Sequence, residues 1–203
     1  MRITLALLLL TLTAPLLAQD RGHVGVFVSR VDIDSADLED GFETDFDSGN
    51  GFGFVADRAF NRILSAEVAV FSVRSEAGLL FEGAAPFDLG DLNLVPVMFG
   101  AQAHLAGRSR IDPYIGAGAA YVMANDLHSE DLDAVGLGRI EVDNELTYYA
   151  SAGVAFELTR GLGIVVDGRW VHFEPSTQAA GTGEEEDVEL SPLIISAGLR
   201  FRF

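Results

Sequence analysis

The chain of 203 residues is acidic and apolar at once: 31 Asp and Glu stand against 13 Arg, lysine is absent, the formal net charge is −18 at pH 7, and 49% of residues are hydrophobic. That balance excludes nucleic-acid binding, which needs basic patches to neutralise phosphates. Without cysteine there are neither disulfides nor a cysteine-linked lipid anchor.

Residues 1–18 read as a secretory signal peptide. Arg2 precedes an uncharged apolar run from Ile3 to about Leu12, and Ala18 is the small residue before the break. The run is shorter than the ~20 residues a spanning helix needs. Cleavage is therefore expected near Ala18, leaving one domain over 19–203. No later apolar run approaches a spanning helix, so the hydrophobic surface has to be hidden another way.

From residue 22 onward the hydrophobic period is two, which marks strands with one apolar face. Eight such segments are expected at about 22–33, 50–58, 63–73, 91–105, 112–124, 145–158, 162–174 and 189–203. In 112–124, Ile115, Ala117, Ala119, Tyr121 and Met123 share a face opposite Gly116, Gly118 and Ala120. In 145–158, Leu146, Tyr148, Ala150, Ala152, Val154, Phe156 and Leu158 oppose Glu145, Thr147, Tyr149, Ser151, Gly153, Ala155 and Glu157. Such lengths suit tilted membrane strands of ~9–11 residues. An even number of antiparallel strands is what a bacterial outer-membrane barrel requires, because lipid cannot satisfy an open sheet edge.

The connections agree. Those at 59–62, 106–111 and 159–161 are short, and those at about 34–49, 74–90, 125–144 and 175–188 are long, alternating as periplasmic turns and external loops do. The first long loop holds Asp34, Asp37, Glu39, Asp40, Glu43, Asp45 and Asp47, and the last holds Glu184, Glu185, Glu186 and Asp187. Arg62, Arg108, Arg110 and Arg160 sit in the short turns. The acidic loops read as solvated surface or as seats for divalent cations, whose preferred ligands are carboxylate oxygens. DFDSGNG (45–51) has the outline of a calcium loop, but glycine replaces its third ligand and Ala56 its closing glutamate. No metal site is expected.

With this register, Gly116, Gly118, Ala120, Ser151, Gly153 and Ala155 face the interior and thin its wall, which leaves either a small cavity or room that Tyr114, Tyr149 and Phe71 fill. Eight strands leave space for side chains or one small ligand. Asp57, Glu67, Asp167, Arg169, Arg200 and Arg202 are also at inward positions. Buried charges are costly unless paired, so carboxylate–arginine pairs are expected across the lumen, as structural glue or as a plug that bars ions below an apolar pocket. Trp170, Tyr148, Tyr121 and Phe203 read as the interfacial aromatic girdle. Catalysis needs a nucleophile and a base held together. The nearest approach in sequence, LHSE at 127–130, lies in a long loop, and neither an enzyme nor a cofactor is expected.

The segments DLNLVPVMFGAQAHL (91–105), DPYIGAGAAYVM (112–123), ELTYYASAGVAFELTRGLGIVVDGRWVHFE (145–174) and the closing SPLIISAGLRFRF together resemble the outer-membrane protein W family of eight-stranded barrels. Where that family often has two adjacent prolines in strand four, this chain has Val95-Pro96. The resemblance implies a Gram-negative outer-membrane protein with outer-membrane lipids around it, offering small hydrophobic molecules a narrow channel or pocket with sideways release between strands. The alternative is a structural or adhesive barrel whose acidic loops bind a partner or divalent cations. The terminal Phe203 looks like the signal read by the barrel-assembly machinery.

Overall fold

A computed structural model describes residues 22–33, 37–38, 42–46, 48–80, 87–107, 109–127, 129, 140–179, 185–187 and 190–203. The expected signal peptide lies outside the described residues, as do Asp34, Glu39, Asp40, Asp47, Arg108, His128, Glu130 and Glu184.

Eight long strands form one antiparallel wall: β1 (Gly22–Asp32), β2 (Gly49–Ala59), β3 (Leu64–Leu80), β4 (Phe87–His104), β5 (Ile111–Ala124), β6 (Glu145–Glu157), β7 (Leu162–Val171) and β8 (Leu193–Arg202). Each pairs with its sequence neighbour. β8 returns to β1 through pairs from His23↔Arg202 to Asp32↔Leu193. The sheet is thereby closed on itself, leaving no open edge inside lipid. Among the described residues there is no helix.

Alternation sets the two faces. On β1, His23, Gly25, Phe27, Ser29 and Val31 are buried while Val24, Val26 and Val28 are exposed. The exposed row continues with Phe52, Phe54, Phe99, Ile115, Ile164, Val166, Ile195 and Leu199, an apolar wall suited to lipid. The short turns are built by side-chain oxygens: Asn61 Oδ1 accepts the Ile63 and Leu64 N–H groups at 2.8 and 2.9 Å, and Thr159 Oγ1 accepts that of Leu162 at 3.2 Å.

The expected second long loop, 74–90, is mostly strand. β3 runs on to Leu80 and β4 begins at Phe87, so residues 81–86 alone connect them. A bulge between Ala77 and Gly78 opposite Gly90 (φ 102°) breaks the period there. β7 stops at Val171 and β8 starts at Leu193, directly after Pro192. The external loops also hold short strands. Residues 42–46 pair with 37–38 and with the end of β3, while 140–142, 176–179 and 185–187 form a separate three-stranded sheet.

Candidate functional site: the lumen

The interior is divided by polarity. Its external half is filled by Val31, Ile33, Phe71, Val73, Leu92, Leu94, Met98, Val122, Phe173 and Ile194, none more than 5% exposed. Immediately towards the periplasmic turns lies a charged cluster centred on Arg169 of β7. Its Nη1 donates to Glu67 Oε1 at 2.6 Å, and its Nη2 donates to Glu67 Oε2 at 3.0 Å and to Asp167 Oδ2 at 2.8 Å. Tyr149 donates to Glu67 at 3.1 Å and Tyr114 to Asp167 at 2.9 Å. Gln102 donates to Glu67, and Ser196 to Asp167. The guanidinium also stands 5.3 Å from the Phe71 ring centroid, a cation–π contact at the apolar boundary.

This cluster draws side chains from every strand between β3 and β8. Glu67, Asp167 and Arg169 are essentially closed to solvent. Seven donated hydrogen bonds reach the two carboxylates. Chemically it is a fixed polar barrier. It can neither dissolve an apolar molecule nor hand an ion on without breaking charge-assisted bonds.

Of the six lumen charges picked out in the sequence, Glu67, Asp167 and Arg169 come together here. The other three stand nearer the periplasmic rim. Asp57 lies 3.1 Å from His23 Nδ1, and Arg202 pairs with Glu157 at 3.2 Å and donates to His23 Nε2 at 3.4 Å. Arg200 lines the recess between His23, Asp57 and the barrier. Phe203 donates its N–H to the Gly22 carbonyl at 3.2 Å, and its ring lies where a Cβ on Gly22 would sit.

The small inward residues do not leave a hollow. A Cβ on Gly153 would lie 2.6 Å from Asp167 Cβ and 2.7 Å from the Tyr114 ring, and one on Gly116 would meet Ser151 Oγ at 2.6 Å. At Gly118 a Cβ would reach the Phe99 carbonyl oxygen at 2.1 Å, because β4 and β5 approach closely at Gly100↔Gly118. Ala120 is fully buried. These glycines admit neighbouring atoms into the space they vacate.

A second polar group went unseen in the sequence. Ser65 Oγ is 3.0 Å from His104 Nε2, and His104 Nδ1 is 2.8 Å from Asp112 Oδ2. The atoms follow the order of a hydrolytic triad, yet all three residues are closed to solvent and Asp112 Oδ1 has no partner. The group ties β3, β4 and β5 together at their periplasmic ends. Only the inward parity of Ser65, His104 and Asp112 on three separate strands could have disclosed it. The side chains of the acidic loop residues lie outside the described residues, among which no cluster of three or more His, Asp or Glu could hold a metal ion.

A model of the OmpW family matches residues 20–203. The chain belongs to the OmpW family. The structure of OprG from Pseudomonas aeruginosa superposes with a TM-score of 0.77 at 16% identity, covering 91% of this chain and 97% of that one. AlkL, solved in DMPC lipid bilayers, gives 0.60 at 15% identity, with 91% of each chain covered. Outer membrane protein W of E. coli gives 0.50 at 14%, covering 91% of this chain and all of that one. At such identities the likeness establishes the fold, and the OmpW family match makes this an outer-membrane barrel. No curated protein sequence matches the chain significantly.

Proposed function

We propose that this barrel lets small hydrophobic molecules cross the outer leaflet by displacing the apolar side chains that fill the external half of the lumen, and releases them sideways between strands. The polarity step at Arg169 carries this reading. An apolar solute has apolar partners above it and the hydrogen-bonded charge cluster below, so the axial route ends where the wall is still surrounded by lipid.

The wall is weakest beside that step. β3 and β4 are paired through Val70↔Val97 and again from Val73↔Leu94, but not at Phe71 and Ser72 opposite Pro96 and Val95. Proline has no N–H to donate to a ladder. β4–β5 runs unbroken through Pro96↔Val122, so the interruption is confined to one seam. Phe71 and Pro96 are buried in the apolar half, and their displacement would open the lumen directly to the acyl region. No chemical step is part of this reading.

The test is uptake into proteoliposomes of a small apolar solute and of an ionic solute of similar size. Accelerated apolar uptake with no ionic uptake supports the proposal. Equal passage of both, or none through folded protein, overturns it.

A further inference from the structure

The outward row of β7 passes from lipid to water within a few residues: Ile164, Val166, Gly168 and Trp170, then His172 and Glu174 just beyond the strand. Three rings meet at its external end. Tyr148 of β6 lies 5.8 Å from Trp170 and 4.8 Å from His172, and Trp170 lies 5.8 Å from His172, centroid to centroid. The imidazole is inclined by 31° to each of the other two rings. Tyr148 and Trp170 remain 54% and 36% exposed. Two carboxylates border the group. Glu174 Oε1 is 3.4 Å from His172 Nε2, and Glu145 Oε2 accepts the backbone N–H of Glu174 at 2.8 Å.

Towards the middle of the membrane the wall beside these rings is dented. Trp170 pairs with Ala150 and Gly168 with Ala152, and no atom stands within 4 Å of where a Cβ on Gly168 would be. An aromatic belt anchors a barrel at the membrane surface, which accounts for Trp170 and Tyr148. It accounts neither for the histidine among the rings and the two carboxylates beside it nor for the dent beneath them.

A sugar ring presents axial C–H groups that stack on aromatic faces and hydroxyls that donate to carboxylates, and an acyl chain fills a shallow apolar dent. We propose that the Tyr148–Trp170–His172 face docks the uncharged sugar head of an outer-leaflet glycolipid, with Glu174 and Glu145 accepting its hydroxyls and the Ala150–Ala152–Gly168 dent receiving its chain. The acids select a neutral sugar over a phosphate head. The dent selects a lipid-linked sugar over a free one. The proposal stands apart from solute passage.

Trp170 is the chain's single tryptophan, so its emission reports this face alone. The full chain would be folded into phosphatidylcholine vesicles containing increasing digalactosyl diacylglycerol, with free digalactose added to plain vesicles in parallel. A saturable emission change with the glycolipid is expected, its midpoint raised roughly fivefold by Tyr148→Ala, as the loss of one ring contact implies. His172→Gln, which keeps a polar side chain of similar reach, should weaken it as well and serves if the first variant does not fold. Emission indifferent to glycolipid content would overturn the proposal, leaving a bilayer anchor only. So would an equal change with the free sugar, or midpoints unaltered in the folded variants.

Discussion

Arg169→Ala is the sharpest perturbation of the lumen. The substitution deletes three hydrogen bonds, two to Glu67 and one to Asp167, and removes the guanidinium that stands between two buried carboxylates. Tyr149 and Gln102 still serve Glu67, and Tyr114 and Ser196 still serve Asp167, but these are neutral donors. Breaking a buried pair by removing one partner costs about 3–5 kcal/mol, chiefly through the uncompensated charge left behind. Glu67→Gln keeps the side chain's shape and leaves Asp167 as the counter-charge, so its cost is about 1.5–3 kcal/mol, that of weakened charge-assisted hydrogen bonds. The double variant then has less to lose, and should fall short of the sum by up to about 3 kcal/mol. Urea unfolding of the barrel in lipid vesicles, read by the different gel mobility of folded and unfolded protein, gives all three values. A cost below about 1 kcal/mol for Arg169→Ala, or strictly additive costs, would refute a closed charge network and with it the polar barrier.

Other substitutions probe the wall and its ties. Gly118→Ala pushes a methyl into the β4 backbone and should cost about 1–3 kcal/mol in the same unfolding assay. Gly168→Ala, with open space around it, should stay within about 0.5 kcal/mol. His104→Ala strands Ser65 and Asp112 without their shared partner, and a loss of about 1–3 kcal/mol is expected. Phe203→Ala should lower the amount of assembled barrel in cells several-fold, measured by membrane fractionation, while the purified protein refolded in detergent loses only about 1 kcal/mol or less. Equal losses in both settings would remove the assembly role.

How legible the barrel was in the sequence follows from how lipid constrains a strand. Where both faces have fixed partners, as along 145–157 with lipid on one side and packed lumen on the other, period two is enforced at every residue and the strand can be read off. In the ends of β3 and β4 beyond Arg74 and Asp91 a bulge shifts the register, so pairing survives but the pattern does not, and they pass for loop. Inward parity likewise exposed Glu67, Asp167 and Arg169 as lumen charges. Parity says nothing about height, however, so it did not separate the central trio from Asp57, Arg200 and Arg202 near the rim. Nor could it show that Tyr114 reaches into the space over Gly153, a contact between β5 and β6 made possible by a missing Cβ. The Ser65–His104–Asp112 group joins residues 39 and 8 positions apart that no motif connects.

Sideways release through β3 and β4 is most directly tested by sealing that seam. Ser72→Cys and Val95→Cys place two thiols opposite one another on the lipid-facing side of the interrupted ladder, in a chain with no other cysteine. Uptake of the small apolar solute into proteoliposomes should fall to the level of protein-free vesicles when the disulfide is formed and recover on reduction. Undiminished uptake with the disulfide fully formed would contradict sideways release.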